Sequence, residues 1–270
     1  MTGETRSQSF GSIASAYERY RSGPPVELVE WMLPGHVSTV VDLGAGTGAM
    51  TRLLVSRAES VIAVEPDDRM RAELVVNVPE AHAVSGRGES MPLPDGTADV
   101  VLASSSWHWM DPIPTLHEVA RVLLPGGLLG AVWAGPDPEG ALLSQAKELL
   151  ARESGTRGDA AGVDEGLAEE EFSALVQGDG NRPDIGLVIP DGVPFEQPEH
   201  QRHTWDVALN ADELIGLLGT FSWVILMPEE ARFRLFKEAR RILREMLGVE
   251  GEVTVDVAFQ AEAWRTRRHG

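Results

Sequence analysis

The sequence predicts an α/β protein with an open, doubly wound, mostly parallel sheet covered by helices on both faces. Three observations carry that prediction. Short β-branched runs alternate with helical patterns at the spacing of βαβ units. The first run, Val40-Val41-Asp42, ends in a glycine-rich turn, Gly44-Ala45-Gly46-Thr47-Gly48. The second run, Val61-Ile62-Ala63-Val64, ends in an acid, Glu65. Such a strand–loop–helix unit brings backbone N–H groups against a ligand that a Cβ would push away, and an acid placed about 20 residues further on can hold a ribose diol. The unit therefore reads as a site for an adenosine-containing cofactor.

Taken in order, residues 10–33 read as one or two amphipathic helices, with Ile13, Tyr17 and Tyr20 on one face and Val26, Val29 and Leu33 on another. Strand one covers 39–43 and a helix follows over 47–57. Strand two covers 60–65, and Pro66-Asp67-Asp68 opens a helix through Asn77. Residues 81–84 give a third strand and 99–103 a fourth. A helix over 114–123, a turn at Pro125-Gly126-Gly127 and a strand over 128–133 complete this half. A helix is predicted over 137–153. Residues 154–198 are rich in Gly, Asp, Glu and Pro and read as a flexible polar insert in a single domain, with one short helix candidate over 172–176. Helices over 212–218 and 228–247 and a strand over 253–257 close the chain.

Composition narrows the function. The 270 residues hold no cysteine, which excludes thiolate zinc sites, cysteine nucleophiles and cysteine-ligated iron–sulfur clusters. A formal charge of −19 argues against a nucleic-acid partner, since phosphates would be repelled. Neither a leader-like apolar segment at the start nor a membrane-length apolar run is seen, so no membrane partner is expected and a cytoplasmic enzyme is the simplest reading.

The turn alone also fits the GxGxxA pattern of NAD-binding proteins, with Glu65 on the ribose. Three features separate the readings: the long segment before strand one, Asp42 two residues before the first glycine, and the continuation Gly86-Arg87-Gly88-Glu89-Ser90-Met91-Pro92-Leu93-Pro94-Asp95-Gly96 followed by Arg121-Val122-Leu123-Leu124-Pro125-Gly126-Gly127. The ordered set DLGAGTG, AVEPDDRM, GRGESMPLPDGTADVVLASSSWHWMD and ARVLLPGG resembles the class I S-adenosylmethionine-dependent methyltransferases, in particular the small-molecule branch related to ubiquinone-pathway and trans-aconitate-type enzymes. The resemblance extends to Phe10–Arg21, similar to that branch's N-terminal lid, and to the C-terminal part around Thr220–Trp223 and 255–265.

That resemblance implies a Rossmann-like sheet of about seven strands, one of them antiparallel, with the strand that pattern reading lacks lying near His200–Leu209. It implies S-adenosylmethionine as cofactor, S-adenosylhomocysteine as product and a small-molecule methyl acceptor, in a monomer or homodimer without metal. Cofactor contacts are expected from Asp42, Gly44, Ala45, Gly46, Glu65, Pro66, Met70, Gly88, Glu89, Ser104 and Ser105, with Tyr17 and Arg21 as lid residues. Arg87 and Gly88 stand where many relatives carry Asp and Ala, so no acidic contact to the adenine amino group is implied here.

For the chemistry, His108 is the candidate general base, lying just past strand four with an ordinary titration range suited to proton removal near neutrality. Trp107, Trp109, His203, Trp205 and Trp223 are the candidate acceptor-facing residues, and Trp133 is the tryptophan expected in the core. Oxygen is favoured over carbon or nitrogen as the accepting atom. Two rival readings remain: an NAD-type oxidoreductase, although the two tyrosines, Tyr17 and Tyr20, leave no Tyr-x-x-x-Lys pair, and a non-catalytic cofactor-binding protein.

Overall fold

The computed structural model of the chain describes residues 23–35, 37–137, 140, 186–219, 224, 229–247 and 254–270. Tyr17, Arg21 and Trp223, the helix candidate over 172–176 and nearly all of the predicted 137–153 helix lie outside the described residues.

Pro24 and Pro25 lead into α1 (Val26–Met32), which buries Leu28, Val29 and Met32. The alternation then runs β1 (Val37–Leu43), α2 (Ala49–Leu54), β2 (Ala58–Val64), α3 (Asp68–Asn77), β3 (His82–Val84) and β4 (Ala98–Ser104). A 3₁₀ turn over Trp107–Trp109 precedes α4 (Pro112–Val122) and β5 (Leu123–Pro136). The rest is β6 (Glu199–Leu209), α5 (Ala211–Leu218), α6 (Glu229–Leu247) and β7 (Val255–Arg267).

The seven strands form one sheet in the order β3-β2-β1-β4-β5-β7-β6. β1 pairs in parallel with β2 and β4, β2 with β3, and β4 with β5. β7 is the antiparallel member: Arg268 N donates to Gly127 O at one end of β5, while Asp137 N donates to Ala258 O at the other. β1 and β4 are apolar and buried over most of their length, as central parallel strands covered on both faces must be. The order reverses between β1 and β4, and open α/β sheets bind ligands at the carboxyl ends of the strands beside such a switch.

Three elements differ from the sequence expectation. α2 starts at Ala49 and not at 47 because Gly48, at φ 97°, holds the left-handed conformation at its N-cap, and it ends at Leu54. β5 starts at Leu123: the pairing steps from Ala98↔Leu123 to Val100↔Leu128, so Pro125-Gly126-Gly127 is absorbed as a bulge, with Gly126 at φ 77°. β7 continues well past residue 257 because Val257, Phe259, Ala261 and Ala263 keep turning inward, two of them alanines that carry little hydropathy signal. The strand expected near 200–209 is β6.

The chain divides into two compact units, one of Met1–Ala134, Asp184–His203 and Ala261–Gly270, the other of Gly135–Pro183 and Thr204–Gln260. The first holds the main core, where Val41, Leu43, Val101, Trp107, Leu116 and Leu129 pack together. Residues 186–198, which composition groups with the polar insert, place Leu187, Ile189, Val193 and Phe195 in that same core. In the second unit, Asn210 and Glu213 form a capping box at the start of α5. Among the described residues, no helix is long and apolar enough to cross a membrane.

Candidate functional site

The glycine turn leaves β1 at Leu43 and packs against the end of β2. Gly44 N and Ala45 N donate to Val64 O at 2.8 and 3.1 Å, Gly46 N to Glu65 Oε2 at 2.9 Å, and Gly48 N to Ala45 O at 3.0 Å. These N–H groups therefore already donate within the protein, which differs from the expectation that they face a ligand. The glycines themselves have different reasons to be there. At Gly44, φ 70°, a Cβ would lie 2.5 Å from Ser106 Cβ; at Gly46, φ 57°, it would meet nothing within 4 Å. Gly44 is needed for packing, and Gly46 is where the turn lies open.

Two carboxylates flank this opening. Asp42, within β1, is fully buried; its Oδ2 accepts from Thr51 Oγ1 at 2.6 Å, and its Oδ1 has no partner among the described residues. Burial pushes its carboxyl up to about 7, with the Thr51 hydroxyl opposing and the neighbouring Glu65 charge adding to the rise. Glu65, 6 % exposed, accepts from Gly46 N through Oε2 and from Asp67 N through Oε1, at 2.9 and 2.8 Å. Burial raises its carboxyl above the ordinary range, and those two backbone bonds oppose the shift. A carboxylate offers about four acceptor sites, so each oxygen can take one more donor. Asp67 in turn caps α3, accepting from Arg69 N and Met70 N.

The end of β4 closes the other wall. Ser105 is the non-glycine residue with positive φ, 50°, among the described residues, a left-handed conformation that L side chains rarely hold. That turn delivers Ser106, whose Oγ donates to Leu43 O at 2.6 Å, bridging the ends of β1 and β4. His108 follows, exposed, with Trp133 Nε1 donating to its Nδ1 at 3.1 Å and Trp109 tilted against its ring at 4.6 Å.

A family profile described as Methyltransferase domain matches residues 41–131, the span from β1 into β5. An uncharacterized methyltransferase of Mycobacterium tuberculosis is 35% identical over 237 residues, covering 88% of this chain and 86% of the relative. The chain belongs to the class I S-adenosylmethionine-dependent methyltransferases. An uncharacterized methyltransferase-like protein of Schizosaccharomyces pombe is 26% identical over 266 residues, 97% of this chain and 96% of its own. A solved protein from Anaeromyxobacter dehalogenans, assigned as a type II methyltransferase, shares the fold at a TM-score of 0.56, with 24% identity over 92% of this chain and 98% of its own.

The chemistry of the methyltransferase's turn is compatible with an S-adenosylmethionine donor. An orphaned, buried Asp42 Oδ1 suits a cationic ammonium group, the Glu65 oxygens suit a diol, and the space over Gly46 admits a ligand. The other predicted cofactor residues divide. Ser104 and Pro66 are half-buried at strand ends, and Met70 is buried on α3. Gly88 is held by packing, since a Cβ there would lie 2.5 Å from Met110 Sδ. Glu89 Oε1 accepts from Asp111 N at 2.8 Å, which ties it to the start of α4.

The aromatic residues of the methyltransferase are redistributed. Trp107, expected to face the acceptor, is 6 % exposed and part of the core, because the 3₁₀ turn points it inward. Trp133, expected in the core, is half-buried and reaches His108. His203 ends the first unit's share of β6, whereas Trp205 belongs to the second unit and packs on Phe259 at 5.6 Å. Arg202 lies 3.4 Å from Glu262. Sequence reasoning missed Ser106, Thr51 and Met110, which carry no motif of their own; Ser106 is signalled only by its place next to the serines that end β4. Among the described residues, no group of three or more acids and histidines could hold a metal ion.

Proposed function

We propose that this methyltransferase methylates a small-molecule acceptor at oxygen, using S-adenosylmethionine held by Asp42, Gly46 and Glu65. The observation that carries the reading is the pair of buried carboxylates flanking an open glycine, a cradle matched to an ammonium and a diol. The donor supplies a sulfonium-activated methyl group, so the chain's own task is alignment and exclusion of water. Orientation contributes roughly 7–11 kcal/mol, more than the 10²–10⁴-fold of a positioned base. His108 and Trp109, just past the end of β4, offer an aromatic platform and a hydrogen-bonding ring to a compact acceptor.

Calorimetry tests the reading first. S-adenosylmethionine and S-adenosylhomocysteine should bind with micromolar affinity and NAD at least a hundred-fold more weakly; preference for NAD removes it. Release of S-adenosylhomocysteine with oxygen, nitrogen and carbon acceptors then separates an enzyme from a binding protein and identifies the accepting atom.

A further inference from the structure

We propose that Arg71 and Asn77, two polar residues of α3, are positioning residues that hold Glu65 and the glycine turn at the spacing an intact ribose diol requires. This rests on the donor reading above and adds what gives that site its preference for a nucleoside with both hydroxyls. Glu65 does not fix its own place. Its carboxylate oxygens accept from Gly46 N, on the turn, and from Asp67 N, in the loop that leads into α3. The side chain therefore bridges two segments whose separation other groups must set.

Arg71 holds the second of these segments. Its Nη1 donates to Glu65 O at 2.9 Å and its Nη2 to Asp68 Oδ1 at 2.5 Å, so one planar fork spans the end of β2 and the first turn of α3. The Asp68 side chain is 86 % exposed, and an ion pair with so accessible a partner adds little stability. What the pair does is aim the guanidinium at the Glu65 carbonyl. Burial raises the Glu65 carboxyl, and the charge of Arg71 opposes that rise, which favours the ionised acceptor form.

Asn77 ties the same helix to the other wall. Its Nδ2 donates to Thr47 O at 3.1 Å, 30 residues back in the chain. Between the two contacts the helix packs under the turn: a Cβ added at Gly48 would lie 3.4 Å from Leu74 Cγ and 2.9 Å from Val78 Cγ2. Residues 71, 74 and 78 recur at spacings of three and four, so one side of α3 meets Glu65 at its start and the turn at its end. α3 is thus a strut between the two sides of the cradle. A diol presents two hydroxyls at a fixed separation, and a carboxylate that is held still can accept from both. One that is free to shift keeps only the nearer.

The test measures two ligands on the full chain by calorimetry, S-adenosylhomocysteine and its 2′-deoxyribose analogue. The wild type should favour the first at least ten-fold, the loss expected for one missing bond to a charged acceptor. In Arg71→Met, which keeps a long stem and removes the donors, the preference should shrink to about two-fold, with affinity for the 2′-deoxy analogue within about three-fold of the wild type. A role in stability alone would weaken both ligands alike. Asp68→Ala, at an exposed site that does not endanger the fold, should reduce the preference about three-fold, and Asn77→Ala should do the same from the other wall. Once Glu65→Ala has removed the acceptor, adding Arg71→Met should change the preference less than about two-fold. Absence of S-adenosylhomocysteine binding in the wild type removes the donor reading itself. Binding by the wild type without preference for the intact ribose, or a preference left unchanged in both Arg71→Met and Asp68→Ala, overturns the positioning role alone.

Discussion

Around the glycine turn, the polar contacts are buried and aimed at backbone or at a single hydroxyl: Thr51 on Asp42, Gly46 and Asp67 on Glu65, Leu43 on Ser106. Around His108 one accessible hydrogen bond and a series of ring contacts join side chains from distant segments, 108 to 133, 133 to 264 and 264 to 200. Both regions belong to the same compact unit. A backbone-directed, buried cradle changes little without altering the fold, which is what the proposed role of holding an unchanging donor requires. A side-chain platform can be rebuilt ring by ring, which is what the proposed role of receiving a variable acceptor requires.

The largest effect should separate two glycines within the cradle. Gly44→Ala forces a Cβ to 2.5 Å from Ser106 at φ 70°, combining left-handed strain with overpacking, and should cost about 4 kcal/mol in urea unfolding. Gly46→Ala meets open space, so its stability cost should stay near 1 kcal/mol, the price of left-handed backbone alone. Its affinity for S-adenosylhomocysteine should fall at least ten-fold. If both variants lose only stability, the space over Gly46 is not the cofactor's. Next in size, Glu65→Ala should weaken that affinity about ten-fold to a hundred-fold, as expected for lost bonds to a charged acceptor.

The pH response of Asp42 sharpens the contrast, because the cradle holds the buried carboxyl that is raised to about 7 from 3.8. Folding therefore raises its proton affinity. The stability this confers is complete below pH 3.8 and is lost as the pH rises through about 7. Asp42→Asn should remove that slope, seen as a difference between the two unfolding curves measured from pH 5 to 8. Binding of a cation beside Oδ1 requires the ionised form, so cofactor affinity should weaken about ten-fold per unit below pH 7 and level off above it. Proton release on binding, measured by calorimetry in two buffers at pH 6, checks the sign. Raised Glu65 adds in the same direction.

The two regions also differ in how far they could be read from sequence. Gly44, Gly46, Asp42 and Glu65 were legible because strand, turn and acid lie within one βαβ unit, at spacings fixed by backbone geometry. Even there, the sequence did not say which glycine was held by packing and which lay open, since Ser106 comes from another strand. On the other side, Trp107, expected beside the acceptor, joins the core, while Trp133 packs against that core as expected and also reaches His108. Both sit beside strands, and only the 3₁₀ turn at Trp107–Trp109 points the first ring into the core. The chain of rings through Trp264 and His200 depends on β7 lying between β5 and β6, a neighbour relation that no local pattern encodes.

The smallest expected effect tests whether stability and cofactor binding are separable. Asn210 caps α5 in the second unit, accepting from Glu213 N at 3.0 Å while Glu213 Oε2 accepts from Asn210 N at 2.9 Å. Asn210→Ala should cost about 1 kcal/mol, the usual loss of such a cap. Among the described residues, the cradle's hydrogen bonds do not involve it, so S-adenosylhomocysteine affinity should stay within two-fold of the wild type. A larger loss of affinity would mean that the cradle depends on the order of α5, and that its rigidity is not supplied by the buried bonds of β1, β2 and β4 alone.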